Sequence, residues 1–455
     1  MPALRLSLCL SALLSLPALL NAQEPAADSP LKRWFMQDYM LGDWGGLRTD
    51  LAGRGIDLEL FYVGSVPNNI SGGLRHGATY QSGLLMALDL DTEELVGWEG
   101  GHFHTSAVWL NGQPFADRYV GDLNKTNLVD FPADFRLWQM WYQQDLFDGK
   151  FSIKAGMMSV DRDFILPELY NSLASINFLN QTFFFPTLAF NLYDIPNFPK
   201  GSHSLPSTPY GVPAVVVNWQ PLDSLYLRAG VYDGFPDETG PGTRIQLHSQ
   251  EGALMFYELG LRRNMAKGDT GLPGSLKVGG YYHTDEFYDV YDTIASLFPF
   301  GLSNGPTTHD GNYGFYLLGE HMLWRESRHE DPAQQGITGF FRLTAAPPDR
   351  NLTEFGVDGG LVFKGLIPGR DHDTLGIAGS YLRMSSDVKR AMRDVNRIMP
   401  FFEVVDYEAV VELSYKLQLA AWWTLSPNLQ YVMHPGGSGA IPNAWVFNIQ
   451  TTLRF

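Results

Sequence analysis

The chain has almost no cysteine. Its only one, Cys9, lies in the stretch from Met1 to Ala22, where one basic residue, Arg5, precedes a leucine-rich run from Leu6 to Leu20. A small residue, Ala22, then precedes Gln23. This order of charge, apolar run and small residue predicts a removable secretory leader over 1–22, cut between Ala22 and Gln23. The run is short for a membrane helix, and Pro17 interrupts it. The chain that remains holds no thiol. That excludes a disulfide-stapled scaffold and leaves a fold closed by hydrogen bonds and burial.

Positive charge is also scarce. Lys and Arg number 32 against 49 Asp and Glu, a net charge of −17, which argues against a nucleic-acid partner. Long apolar runs are missing after Ala22, so no helix is expected to cross a membrane. Any spanning structure must then be a closed β-barrel, which leaves no main-chain group unpaired in lipid. Metal sites are poorly supported. His102-Phe103-His104 puts two imidazoles on one strand face, and Asp371-His372-Asp373 is a similar short cluster, but the spacing supplies no third or fourth ligand. Gly436-Gly437-Ser438-Gly439 lacks the Lys-Ser/Thr of a phosphate loop. Neither a cofactor nor catalysis is expected.

What the sequence does have is a period of two. Between Ala444 and Phe455 the odd positions are Trp445, Phe447, Ile449, Thr451, Leu453 and Phe455, and the even ones are Ala444, Val446, Asn448, Gln450, Thr452 and Arg454. One face is oily and the other mostly polar, as in a strand between lipid and a wet lumen. The pattern recurs near 56–66, 80–90, 101–110, 135–146, 150–159, 211–219, 223–234, 251–263, 274–285, 312–325, 335–346, 354–365, 372–384, 405–419, 423–434 and 443–455. The prediction is an all-β transmembrane antiparallel barrel of about sixteen strands over 56–455, preceded by a short periplasmic segment over 23–55. Connections alternate in length. Those at 67–79, 111–134, 160–210, 235–250, 286–311 and 385–404 are long, as outer loops are, while 347–353 and 435–442 break the trend.

The segment 160–210 is the longest connection and is rich in aromatics, including Phe164, Tyr170, Phe178, Phe183-Phe184-Phe185 and Tyr193. Long loops of this kind usually have a role, and this one is expected to fold into the barrel as a constriction. Its opening charges, Asp161, Arg162 and Asp163, with Glu168 close by, are the candidate constriction residues. Strand parity adds Lys154, Arg228, Glu258, Arg262, Lys277 and Arg454 as pore-lining candidates of mixed sign. Such groups suit sugars: charged partners strengthen hydrogen bonds to hydroxyls, aromatic faces take C–H surfaces, and release requires weak binding.

Several motifs add a resemblance. Gly42-Asp43-Trp44-Gly45-Gly46-Leu47-Arg48 leads to Gly55-Ile56 before the first strand, and Phe178-Leu179-Asn180 sits in the long loop. Further on come Leu272-Pro273-Gly274 with Val278-Gly279-Gly280-Tyr281-Tyr282-His283, then Ala346-Pro347-Pro348-Asp349-Arg350-Asn351 and Lys364-Gly365-Leu366-Ile367-Pro368-Gly369-Arg370. Pro427-Asn428-Leu429-Gln430-Tyr431 and His434-Pro435-Gly436-Gly437 complete the set. In this order, from about Leu41 to Phe455, the chain resembles the carbohydrate-selective porin family (OprB type). The resemblance implies a sixteen-stranded barrel, a constricting third loop and passive diffusion of glucose-like sugars; it carries no selectivity residues onto this chain.

The partners expected are small sugars in transit, outer-membrane lipid, and the barrel-assembly machinery acting on the C-terminal strand that ends in Phe455. A homotrimer is compatible with this reading, though nothing in the sequence sets the oligomer number. Two alternatives stay open: a general diffusion porin of the same fold, and a secreted β-rich carbohydrate-binding protein or glycoside hydrolase using carboxylates such as Asp161 and Asp163.

Overall fold

The computed structural model describes residues 29–455, apart from 166, 170–176, 185–204, 237–241, 244–251, 267, 299–300, 327–334 and 401–402. The leader and its cut lie outside these residues, as do Tyr170, Phe185 and Tyr193 of the long loop.

Sixteen long strands run in chain order: β1 (Ile56–Ser71), β2 (Gln81–Asp91), β3 (Gly101–Gly112), β4 (Asp134–Leu146), β5 (Phe151–Met158), β6 (Val212–Leu222), β7 (Leu225–Asp233), β8 (Ala253–Arg263), β9 (Gly274–Tyr288), β10 (Thr308–Arg325), β11 (Gly336–Ala345), β12 (Thr353–Lys364), β13 (Thr374–Met384), β14 (Tyr407–Ala420), β15 (Trp423–Met433) and β16 (Ala444–Arg454). Each pairs antiparallel with its neighbour in sequence, and β16 returns to β1 with Phe61 opposite Arg454 and Val66 opposite Ile449. The sheet is therefore closed, and no edge is left to lipid. The expected strand count and order hold throughout. A two-residue strand, Gly77–Ala78, adds a short flap on β1.

The two faces divide as the alternation predicts. Trp445 and Ile449 are exposed on the outside, while Val446 and Asn448, between them, are 0% exposed. Trp109, Phe135, Trp219, Leu261, Val278, Phe315, Phe341 and Leu413 extend the outer apolar surface around the barrel. One expectation needs correction: the inner face is not uniformly wet. Down β16 it runs from Ala444 and Val446 beneath the long connections to Gln450, Thr452 and Arg454 at the end that carries Phe455 and the start of β1. Inward Val362, Val410, Val432 and Val446 form one apolar cluster with Phe115, Phe178 and Phe183, which come from connecting segments. Folding those segments inward gives inward-facing hydrophobes a partner other than water.

Tight turns join strands at the terminal end. Between β4 and β5 the chain takes left-handed φ at Phe147, Asp148 and Gly149, where Asp and Gly suit a short hairpin. The N-terminal segment, read as periplasmic, covers the seam at the same end. A short helix, α1 (Pro30–Phe35), and a second, α2 (Leu47–Ala52), flank the glycine-rich motif. Asp43 accepts from Thr49 N and Oγ1 at 2.9 Å each. This places Arg48 between the rings of Tyr39 (3.8 Å) and Trp44 (4.4 Å). From there Arg48 donates to the main-chain oxygens of Leu58 (3.0 Å) and Phe455 (2.6 Å), where β1 runs past the end of β16.

Candidate pore constriction

The described parts of the long loop lie against the inner wall. After β5 the chain turns through Val160–Arg162, and Asp163 meets the ammonium of Lys154 on β5. The main-chain oxygen of Asp163 accepts from Arg228 on β7, and its carboxylate accepts from Tyr232 at 3.3 Å. Glu168 accepts from Arg262 on β8 at 2.6 Å and pairs with Lys277 on β9 at 2.9 Å. Burial pushes the Glu168 carboxyl up, but Lys277 and Arg262 more than reverse this and hold it below the usual range. Glu258 on β8 takes the hydroxyls of Tyr226 and Tyr316 at 2.7 Å each and the amide of Ile165 at 3.1 Å. Two inward glycines make this possible. A Cβ on Gly260 or Gly279 would sit 2.0 or 2.3 Å from the ring of Tyr226 or Tyr316.

Seven of the ten expected residues thus form one network on β5–β9. Asp161 is buried and turned away, taking Thr208 N at 3.0 Å and Thr208 Oγ1 at 2.6 Å; burial raises its carboxyl despite those bonds. Arg162 is exposed, with its guanidinium 4.6 Å from the centre of the Trp138 ring. Arg454 lies apart, at the rim, 3.8 Å from Glu59 and over the Tyr39 ring.

The sequence reading missed a second inward segment, the connection between β3 and β4. Asp130 accepts from the amides of Phe115 (3.1 Å) and Ala116 (2.7 Å) and from Gln81 on β2 (2.7 Å). Burial nevertheless raises its carboxyl, against the pull of Lys125 and these donors. The wall residue that holds this segment, Glu408 on β14, was missed as well, as were Glu412 on the same strand, which holds the long loop, and the pair Arg342–Asp358 (2.9 Å) across β11 and β12. Strand parity could have found all four, since each alternates with outward residues such as Phe341, Leu361, Val411 and Leu413. The Phe178-Leu179-Asn180 motif also gains a meaning: Phe178 packs against Phe183 and Phe340, while the next two amides bind Glu412.

The other motifs resolve simply. His104 binds Asp89 at 2.6 Å, and His102 lies between Asp91 and Asp145 at 4.0 and 3.6 Å, each imidazole nitrogen facing a different carboxylate. The sequence reading finds no Gly-x-Ser-x-Gly elbow, yet Gly301-Leu302-Ser303-Asn304-Gly305 has that spacing. It leads into a strand, however, and Ser303 Oγ is bound to Asp292 and to the Gly305 main-chain oxygen.

Comparison with known proteins agrees with this architecture. The family model described as carbohydrate-selective porin, OprB family, matches residues 75–455. The chain belongs to that family. Porin B of Pseudomonas aeruginosa is 29% identical, with all of this chain and 98% of that protein aligned. The high-pH structure of Pseudomonas putida OprB superposes with a TM-score of 0.82 at 25% identity, covering 92% of this chain and 99% of that one. The low-pH structure of the same protein gives 0.56 at 19% identity and speaks for the fold alone. As an OprB-family porin, the chain is a channel barrel of the Gram-negative outer membrane.

Proposed function

We propose that this porin is a passive diffusion channel for small, glucose-like sugars, narrowed by the loop over 160–210 together with the segment between β3 and β4. The observation that carries this reading is the Asp163 and Glu168 network, which ties the loop to Lys154, Arg262 and Lys277 on the inner wall. In the proposal Asp161, Arg162, Asp163 and Glu168 shape the constriction. Lys154, Arg228, Glu258, Arg262 and Lys277 support it from the wall, and Arg454 lines the exit. Arg162 is the member exposed beside an aromatic ring, a pairing suited to sugar hydroxyls. Maturation removes 1–22, and the assembly machinery engages the strand ending in Phe455.

Liposome swelling tests the function. Monosaccharides should enter faster than amino acids and salts of matched size. Permeation that follows size alone would leave a general diffusion porin.

A further inference from the structure

We propose that Glu412 and Glu408 on β14 are positioning residues that set the channel's cross-section, each by gripping two consecutive main-chain amides of a different inward segment. Glu412 accepts from Leu179 N at 2.6 Å and Asn180 N at 3.0 Å, and also from the Asn428 side chain. Glu408 accepts from Leu123 N and Asn124 N at 2.7 Å each, and from Gly436 N at 2.9 Å. The glutamates are 0% and 1% exposed and share the inward face of one strand, about 13 Å apart at a strand's rise per residue.

The two gripped segments also hold each other. Asn180 Nδ2 donates to Asn124 O at 3.0 Å, and Gln181 donates from N to Lys125 O at 2.8 Å and from Nε2 to Asn127 O at 3.2 Å. Two connections that start far apart in sequence therefore form one body, anchored at two points of a single strand. A carboxylate is the side chain for this purpose. Its two oxygens meet two adjacent N–H groups, and the ionised acceptor makes bonds roughly twice as strong as neutral ones. Loop segments otherwise have low stability and wander. The carboxylates fix how far this body reaches toward the β5–β9 wall, and so how much opening is left between them.

This inference rests on the channel reading, but its test does not need a sugar. Single-channel conductance in potassium chloride is measured for the full chain and for E412A, E412Q and E408A, with folding checked by heat-modifiable gel migration. Conduction follows the narrowest cross-section, so E412A is expected to raise conductance about twofold and add open-state noise. E412Q keeps one acceptor oxygen and turns an NH2 toward the second amide, so it should fall between E412A and the parent. A merely structural role would lower the melting temperature and leave conductance untouched. Folded E412A with parental conductance overturns the proposal; if E412A does not fold, parental conductance in E412Q does so. Loss of sugar preference in the parent would fail the functional reading alone.

Discussion

The inner wall is tied to its loops in two different ways. Along β5–β9 the loop brings carboxylates of its own, Asp163 and Glu168, to wall cations Lys154, Arg262 and Lys277. Along β14–β16 the wall supplies the acceptors, Glu408, Glu412 and Gln430, and the loops bring main-chain amides and neutral side chains. The first arrangement depends on matched charges, and losing one partner strands the other. The second depends on directional bonds to a backbone that every residue carries. Substitutions should therefore cost more on the first arc than on the second, with an exception where a carboxylate on the second arc has no donor.

The largest effect is expected from Glu168→Ala. It removes the carboxylate that Lys277, 2% exposed, and Arg262 share, and leaves the two cations facing each other. Breaking a buried pair from one side costs about 3 kcal/mol. That is roughly a hundredfold in the opening of the loop, read as faster hydrogen exchange at the Leu169 amide. Unchanged exchange would erase the contrast between the arcs.

Asp122 supplies the exception. It is 7% exposed, and neither carboxylate oxygen has a donor from another described residue. Burial raises its carboxyl well above the usual value, and the charges of Glu408 and Asp130 add to this while Lys125 opposes it. A carboxyl raised in the folded state contributes most to stability below its unfolded value, and that contribution is lost as pH climbs through the raised one. Asp122→Asn cannot ionise. Its unfolding free energy in detergent should exceed the parent's by a margin that grows from pH 4 upward, reaching about 2 kcal/mol at neutral pH, because the amide needs no proton to stay uncharged. Parallel curves would show that folding leaves the Asp122 carboxyl at its ordinary value.

Asn180→Ala should cost less, about 1 kcal/mol, because it deletes neutral bonds to Asn124 O (3.0 Å) and Gln430 (3.1 Å) and leaves both Glu412 contacts in place. Exchange at the Leu179 amide reads this directly. A loss as large as that of Glu168→Ala would mean the second arc depends on side chains after all.

The same contrast explains what the sequence could and could not disclose. Lys154, Arg228, Glu258, Arg262 and Lys277 stand out because charge on an alternating strand is visible without a structure, and their inward placement follows from parity. The closure of β16 on β1 is legible for the same reason, since the oily face of Trp445, Phe447 and Ile449 repeats on every strand. The grip of Glu412 is not, because its partners are the amides of Leu179 and Asn180, and an amide has no letter in the sequence. The segment between β3 and β4 was hidden likewise: Asp130 closes it onto Phe115 and Ala116 by main-chain bonds. The apolar inner patches were unreadable because Val410 and Val446 look like errors of alternation until Phe115 and Phe178 are folded against them.

Arg454 marks the lower limit of these effects. Sequence parity groups it with the other inward cations, yet its pair with Glu59 spans 3.8 Å between side chains 47% and 42% exposed. A solvated pair of that kind is worth about 0.5 kcal/mol, and salt screens it. Arg454→Ala should therefore leave the melting temperature almost unchanged and ion conductance close to the parent's. A large fall in stability would have to come from the Tyr39 ring beneath the guanidinium. Arg48→Ala separates these contributions. It removes the donor to Leu58 and Phe455 while leaving Arg454 in place, so a shared loss in both variants would assign the effect to the seam rather than to the charge.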